Sequence, residues 1–203
     1  MSEQETRAGL PILGFADAAA WEAWLAAQPR NVPGVWLKLA KKSAGAPSVS
    51  KAEAIDGALC HGWIDGQLNP YDEHWWLIRF TPRKARSIWS EKNRTRAGEL
   101  IAAGRVAAAG QAEIEAAKAD GRWDAAYAPQ STVTMPDDLA AALADEPGAR
   151  AFFDSLESSN RYAILYRVHE AKKPETRAAR IAKFVGMCAR GELVHPGVEK
   201  IVK

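Results

Sequence analysis

Cys60-His61-Gly62-Trp63-Ile64-Asp65-Gly66-Gln67-Leu68-Asn69-Pro70, with His74-Trp75-Trp76-Leu77-Ile78-Arg79-Phe80 just beyond it, is the stretch whose reading decides the fold. A helical pattern precedes it. Ser50 and Glu53 have the spacing of a capping box, and Ala54, Ile55, Ala58 and Leu59 follow at helical intervals. Gly62 suits the stop, because glycine takes the left-handed backbone at a helix end without steric cost. Trp63 to Leu68 and His74 to Phe80 then read as two strands around an Asn69-Pro70 turn. His74, Trp76, Ile78 and Phe80 share one face of the second strand. Trp75, Leu77 and Arg79 share the other. Helix followed by hairpin, rather than strand and helix in strict alternation, points to α+β.

Further toward the amino end, Trp21, Trp24 and Leu25 stand at helical spacing behind Asp17, a suitable N-cap. Val35 to Lys42 alternates as a strand, and Ser43 to Pro47 reads as a turn. Beyond the hairpin, Thr81-Pro82 is expected to break the strand. A helix from about Ser90 to Ala103 should end at Gly104, and a shorter Ala-rich helix at Gly121. All eight tryptophans lie at or before Trp123, and a turn-rich stretch follows. The sequence therefore predicts an N-terminal mixed domain over residues 1–124, with a small antiparallel sheet and helices, and a C-terminal helical bundle over residues 125–203. In the bundle, Pro136-Asp137-Asp138 has a first-turn pattern. Phe152, Phe153 and Leu156 form an apolar stripe, and Ser158 can cap a helix carrying Tyr162, Leu165 and Tyr166. Lys173-Pro174 opens a last helix with Ala178, Ile181, Val185 and Cys188 inward, closed by Gly191.

Composition bounds the class. The 203 residues are 47% hydrophobic and 26% charged, enough for a packed core and unlike a disordered chain. No apolar run approaches the roughly 18 residues that span a bilayer. The polar, acidic start has neither the basic nor the apolar region of a secretory signal, so a cytoplasmic chain is expected. Two cysteines, Cys60 and Cys188, make no disulfide framework and suit a reducing compartment. The net charge of +2 does not by itself imply nucleic acid. Its distribution is more telling: residues 81–96 hold six basic residues against the single acid Glu91, whereas residues 65–80 hold three acids and one arginine.

Two places could carry chemistry. The glycines around Trp63-Ile64-Asp65 imply close backbone approach, and His61 and Asp65 could form an acid–base pair. The alternative is a plain helix-to-strand turn. From Thr81 to Ser90, basic residues, hydroxyls and an indole precede a helix start, where unpaired N–H groups and the dipole favour an anion. Arg79, Arg83, Arg86, Ser90 and Asn93 would hold the ligand, with Trp63 or Trp89 stacked on it. The alternative there is a solvated basic face with Trp89 in the core. The Trp75-Trp76 pair cannot make one stacking platform for bases, because adjacent strand residues face opposite ways. Nucleoside-triphosphate, dinucleotide and serine-hydrolase signatures are missing. The four histidines are scattered, so no metal site and no cofactor is expected. In the second part, Ala171 to Arg177 with Arg180 puts basic residues at a helix start, against the dipole unless an anion or acid compensates.

These residues resemble the bacteriocin-protection, OmpD-associated (YdeI-like) family. The carrying segments are Ala58 to Gly66, Arg79 to Lys84, Ser87-Ile88-Trp89-Ser90 with Asn93, Asp120-Gly121-Arg122-Trp123, Pro136-Asp137-Asp138-Leu139, and Ala171 to Arg177. The likeness runs from about Phe15 to Gly191. His61 stands where the family pattern carries an aromatic or apolar residue. The resemblance implies protection against antimicrobial peptides and a link to an outer-membrane porin, and it brings no catalytic residue set. The expectation is a stress-protection protein that binds an anionic small molecule, a nucleotide or phosphorylated metabolite. One alternative is an enzyme using Asp65 and His61. Another, implied by relatives that join the same helical segment to a different domain, is a frataxin-like iron carrier. The sequence assigns no oligomeric state.

Overall fold

The computed structural model describes residues 5–196. The chain divides into two compact units, Met1–Ala126 and Tyr127–Lys203. The first holds a five-stranded sheet and four helices among the described residues, and the second four helices, so the architecture is α+β. No helix of the described residues is long and apolar enough to cross a membrane.

In the first unit the strands are β1 (Thr6–Arg7), β2 (Leu10–Gly14), β3 (Val35–Ala40), β4 (Trp63–Pro70) and β5 (Trp75–Pro82), arranged β1-β2-β3-β5-β4. The sheet is mixed rather than wholly antiparallel, because β2 runs parallel to β3. Both strands of the hairpin run up to and include the prolines expected to lie outside them. Pro70 lies on the edge strand β4. Pro82 pairs only with Trp63, because β3 starts its pairing with β5 at Val35–Phe80. Proline lacks an N–H, so it survives where no neighbouring strand needs one. The turn is displaced to residues 71–74, where the Asp72 carboxylate accepts hydrogen bonds from the His74 and Trp75 amides.

Helices α1 (Ala18–Ala26) and α2 (Lys51–Cys60) cover one face of the sheet. Both start as the sequence implies: Asp17 caps α1, and Ser50 and Glu53 form the reciprocal box on α2. Val35, Leu37, Leu39, Ile78 and Phe80 point at these helices and pack on Trp21, Leu25, Ala54, Ala58 and Trp63. A fully buried tryptophan withdraws about 150–250 Å² from water, worth at most about 4–6 kcal/mol at ~25 cal/mol per Å². Trp21 is one of these. Its indole donates to the Ala54 carbonyl, and it comes so close to Gly57 that a Cβ there would lie 3.0 Å from the ring. On the opposite face Trp36, Leu77 and Leu10 form a smaller cluster, with the Lys38 ammonium 4.2 Å from the centre of the Tyr71 ring.

Two further helices, α3 (Glu91–Ala102) and α4 (Ala108–Ala119), are of equal length and pack on α2 through Leu59, Cys60, Leu100 and Ile114. Gly104 and Gly121, both at positive φ, follow them as expected.

The second unit comprises α5 (Asp137–Ala144), α6 (Pro147–Ser155), α7 (Ser158–Glu170) and α8 (Pro174–Ala189) around one core of Leu139, Leu143, Phe153, Ile164, Val168, Ile181, Phe184 and Cys188. Ser158 is the first residue of α7 and makes no cap hydrogen bond. Glu157 holds the cap position instead. Ala178 is exposed, and Phe184 takes the inward place. The basic start of α8 also finds its explanation. Arg177 grips Asp138 with two nitrogens and donates a third hydrogen bond to the Val168 carbonyl, while Arg180 donates to the Arg167 carbonyl and pairs with Glu170. These cations sit at the carbonyl end of α7, where the dipole favours positive charge.

Candidate functional site

The segments singled out from Cys60 to Asn93 meet beside the amino end of α3, but they do not all face one space. Trp63 follows the α2 stop directly and is 2% exposed, with its ring 5.6 Å from that of Trp24 in an edge contact. Its faces belong to the core. Asp65 lies two residues along β4, opposite Phe80 and therefore on the helix-covered side. Its carboxylate accepts a hydrogen bond from the Asn93 side-chain amide at 3.4 Å. Arg79 pairs across the sheet with Trp36 and projects to the other side. Asp65 and Arg79 therefore do not converge. The Arg79 Nε is buried with no hydrogen-bond partner among the described residues.

His61 is the C-cap of α2, its amide bonded to the Gly57 carbonyl. Burial pushes its imidazole below the ordinary histidine range, against the pull of Glu22. Among the described residues no hydrogen bond joins it to Asp65.

The loop between β5 and α3 is held by its own cations. Arg83, 4% exposed, lays its guanidinium 3.6 Å from the centre of the Trp89 ring and donates to the Ile88 carbonyl, while its amide donates to Gly62. Trp89 is 1% exposed, with Trp123 edge-on at 4.9 Å. The Ser87 hydroxyl accepts from the Lys84 amide. Ser90 caps α3, accepting from the Asn93 amide at 3.1 Å. Two residues assigned no role from the sequence complete the arrangement. Arg122 donates to the Ser87 carbonyl at 2.9 Å, and Arg94 donates to the Trp123 carbonyl. Asp120-Gly121-Arg122-Trp123 was visible as a motif, but its task appears only once its partners are known.

What stays accessible is narrower than expected. Lys84, Arg86 and Lys92 are exposed, and their side chains enter no ion pair among the described residues. Ser90 and Asn93 are half-buried beside them, with Glu91 in the same first turn. Behind the site runs a charged network that sequence reasoning missed. Asp56, 8% exposed, is gripped by two Arg96 nitrogens at 2.7 and 2.6 Å, and Arg105 reaches both Asp56 and Glu22. It ties α1, α2 and α3 together. Arg96 is held well above its ordinary range, chiefly by that hydrogen bonding to Asp56. Among the described residues no group of three histidine, cysteine, aspartate or glutamate side chains could hold a metal ion.

Residues 132–191 match the family model described as Bacteriocin-protection, YdeI or OmpD-Associated, so the resemblance holds over that segment. Residues 13–113, which include the motifs from Ala58 to Asn93, match a separate model, Domain of unknown function (DUF8412). No curated protein and no solved structure matches the chain.

Proposed function

We propose that a chain carrying a bacteriocin-protection, YdeI or OmpD-associated domain at residues 132–191 serves protection against antimicrobial peptides, and that it binds a small anion at the amino end of α3. The ligand class is a nucleotide or phosphorylated metabolite. One observation supports this most: Lys84, Arg86 and Lys92 enter no ion pair among the described residues beside a helix start, where first-turn amides have no carbonyl partner within the helix. The Ser90 hydroxyl satisfies the Asn93 amide, and the half-buried Asn93 side chain donates to Asp65 at 3.4 Å, so the exposed cations would carry the binding. Trp63 and Trp89 support the site from the core without stacking on a ligand.

The enzyme reading gains no support, since Asp65 is engaged by Asn93 and His61 caps α2. Calorimetric titration with ATP and with a sugar phosphate tests the proposal. Binding should weaken as salt rises, because exposed charges are screened over about 8–10 Å at 0.10–0.15 M. Arg86→Ala and Lys92→Ala should each weaken it further. Lack of binding at low salt, or affinity indifferent to both substitutions, would overturn it.

A further inference from the structure

The second unit contains an open cavity of about 430 Å³ along one face of α7, lined among others by Ser159, Tyr162, Tyr166, Arg167, Glu170 and His195. The α7 residues recur at three- and four-residue steps, so they stand on one stripe of that helix. The volume lies in the range of small-molecule sites, roughly 300–1,000 Å³. We propose that this cavity binds a small planar carboxylate, an aromatic or heteroaromatic acid.

The shape of the site comes from tyrosines. The Tyr162 and Tyr166 rings are 5.9 Å apart with 35° between their planes, and Tyr127 meets Tyr166 edge-on at 5.1 Å. Tyr162 is fixed by donating its hydroxyl to the Ala128 carbonyl. Flat aromatic walls of this kind favour a flat guest. Two polar groups are unspent, one just behind the wall and one on it. The Ser159 hydroxyl is inaccessible to water and has no hydrogen-bond partner among the described residues. The Tyr166 hydroxyl likewise makes no hydrogen bond among them. Burial, with Glu170 nearby, pushes Tyr166 up to about 12, so it remains a neutral donor at physiological pH. A buried polar group left unsatisfied is uncommon in a folded protein.

Charge selects the sign of the guest. Glu170 is neutralised by Arg180 at 3.2 Å. Arg167 gives one nitrogen to the Ala163 carbonyl of its own helix and enters no ion pair among the described residues. The uncompensated charge at the cavity is therefore one cation. A guanidinium fork matches a carboxylate, and a monoanion balances it. At the far side, the buried Asn160 side chain accepts a hydrogen bond from the His195 amide at 2.9 Å and holds that residue against the opening.

This inference is independent of the α3 site and fails separately. The test is titration of the whole protein with benzoate, benzylamine and inorganic phosphate, read by amide chemical shifts. Benzoate should move the resonances of residues 159–170. Its affinity should fall about tenfold in Arg167→Met and less in Tyr166→Phe, while Arg86→Ala leaves it unchanged. Tyr166→Phe removes a hydroxyl that holds nothing, so it keeps the test decisive should Arg167→Met fold poorly. The proposal is overturned if benzylamine binds better than benzoate, if phosphate binds equally well, if benzoate acts elsewhere, or if Tyr166→Phe leaves its affinity unchanged.

Discussion

Gly110→Ala should destabilise the first unit although it improves a helix. Gly110 is the third residue of α4, and an added Cβ would sit 2.2 Å from the Cys60 carbonyl oxygen, 2.7 Å from the Cys60 carbonyl carbon and 2.8 Å from the Leu59 oxygen. These are backbone atoms, so no rotamer change relieves the clash. Normal contact requires the amino end of α4 to retreat by about 1 Å. That retreat stretches the 3.0 Å hydrogen bond from the Ala107 amide to the Cys60 carbonyl, at a cost near 1 kcal/mol. It also loosens Ile114 and Ala117 against Leu59 and Cys60, where forced repacking costs about 1–3 kcal/mol. Replacing glycine returns up to about 1 kcal/mol of helix propensity. The net expectation is a loss of about 2 kcal/mol. Gly98, exposed in α3 with nothing within 4 Å of an added Cβ, isolates the propensity term, and Gly98→Ala should gain about 0.5–1 kcal/mol. Urea unfolding followed by tryptophan emission reads this unit selectively, since all eight tryptophans lie at or before Trp123. The reasoning is refuted if the two substitutions shift the midpoint in the same direction.

Other consequences can be measured. Trp63→Ala should cost about 3–5 kcal/mol by the same unfolding assay, because the ring is 2% exposed in the main core; a loss below 1 kcal/mol would mean its surroundings are loosely packed. His61 should titrate by NMR below its ordinary value near 6.5, and lower still in Glu22→Gln. A histidine whose folded pKa is depressed contributes stability above its unfolded pKa and loses it as the pH falls through the folded value. The first unit should therefore weaken below about pH 7, and His61→Gln should weaken less. The Asp138 carboxyl should titrate below the ordinary aspartate value, chiefly through its hydrogen bonds from Arg177, and return to it in Arg177→Gln. Its contribution is present above the unfolded carboxylate range, about 4, and disappears in acid. Because the pair is exposed, Asp138→Asn should cost at most about 1 kcal/mol at neutral pH.

Local rules were sufficient where one residue type answers one backbone need. Asp17, Ser50 with Glu53, Gly62, Gly104 and Gly191 mark helix ends for reasons contained within a few residues. Alternation in residues 35–40 and 75–80 likewise gave the faces of β3 and β5. The prolines misled because their tolerance depends on the neighbouring strand, a fact of topology. Thr6–Arg7 and Leu10–Gly14 carry no alternation of their own and become strands only by pairing, one of them parallel to β3. The site was half legible for the same reason. Adjacent Arg79 and Phe80 must face opposite sides, but the face taken by Asp65 depends on a register that shifts between Asp65 and Leu68.

The charge runs follow the same rule, since their use depends on which carbonyls the fold brings near them. A basic cluster in sequence is ambiguous, because a guanidinium serves a carbonyl as readily as an anionic ligand. Here Arg83 is used on Trp89 and the Ile88 carbonyl, Arg94 on the Trp123 carbonyl, Arg122 on the Ser87 carbonyl, Arg161 on the carbonyls ending α6, and Arg177 and Arg180 on those ending α7. Each closes a loop or a helix end that would otherwise leave carbonyl groups unsatisfied. Positive charge not consumed in this way is what a ligand can read. Lys84, Arg86 and Lys92 at α3 meet that condition among the described residues, and Arg167 in the tyrosine-lined cavity spends only one nitrogen, on the Ala163 carbonyl within its own helix. Substitutions at the first group of arginines should therefore disturb folding before binding, and substitutions at these four should do the reverse.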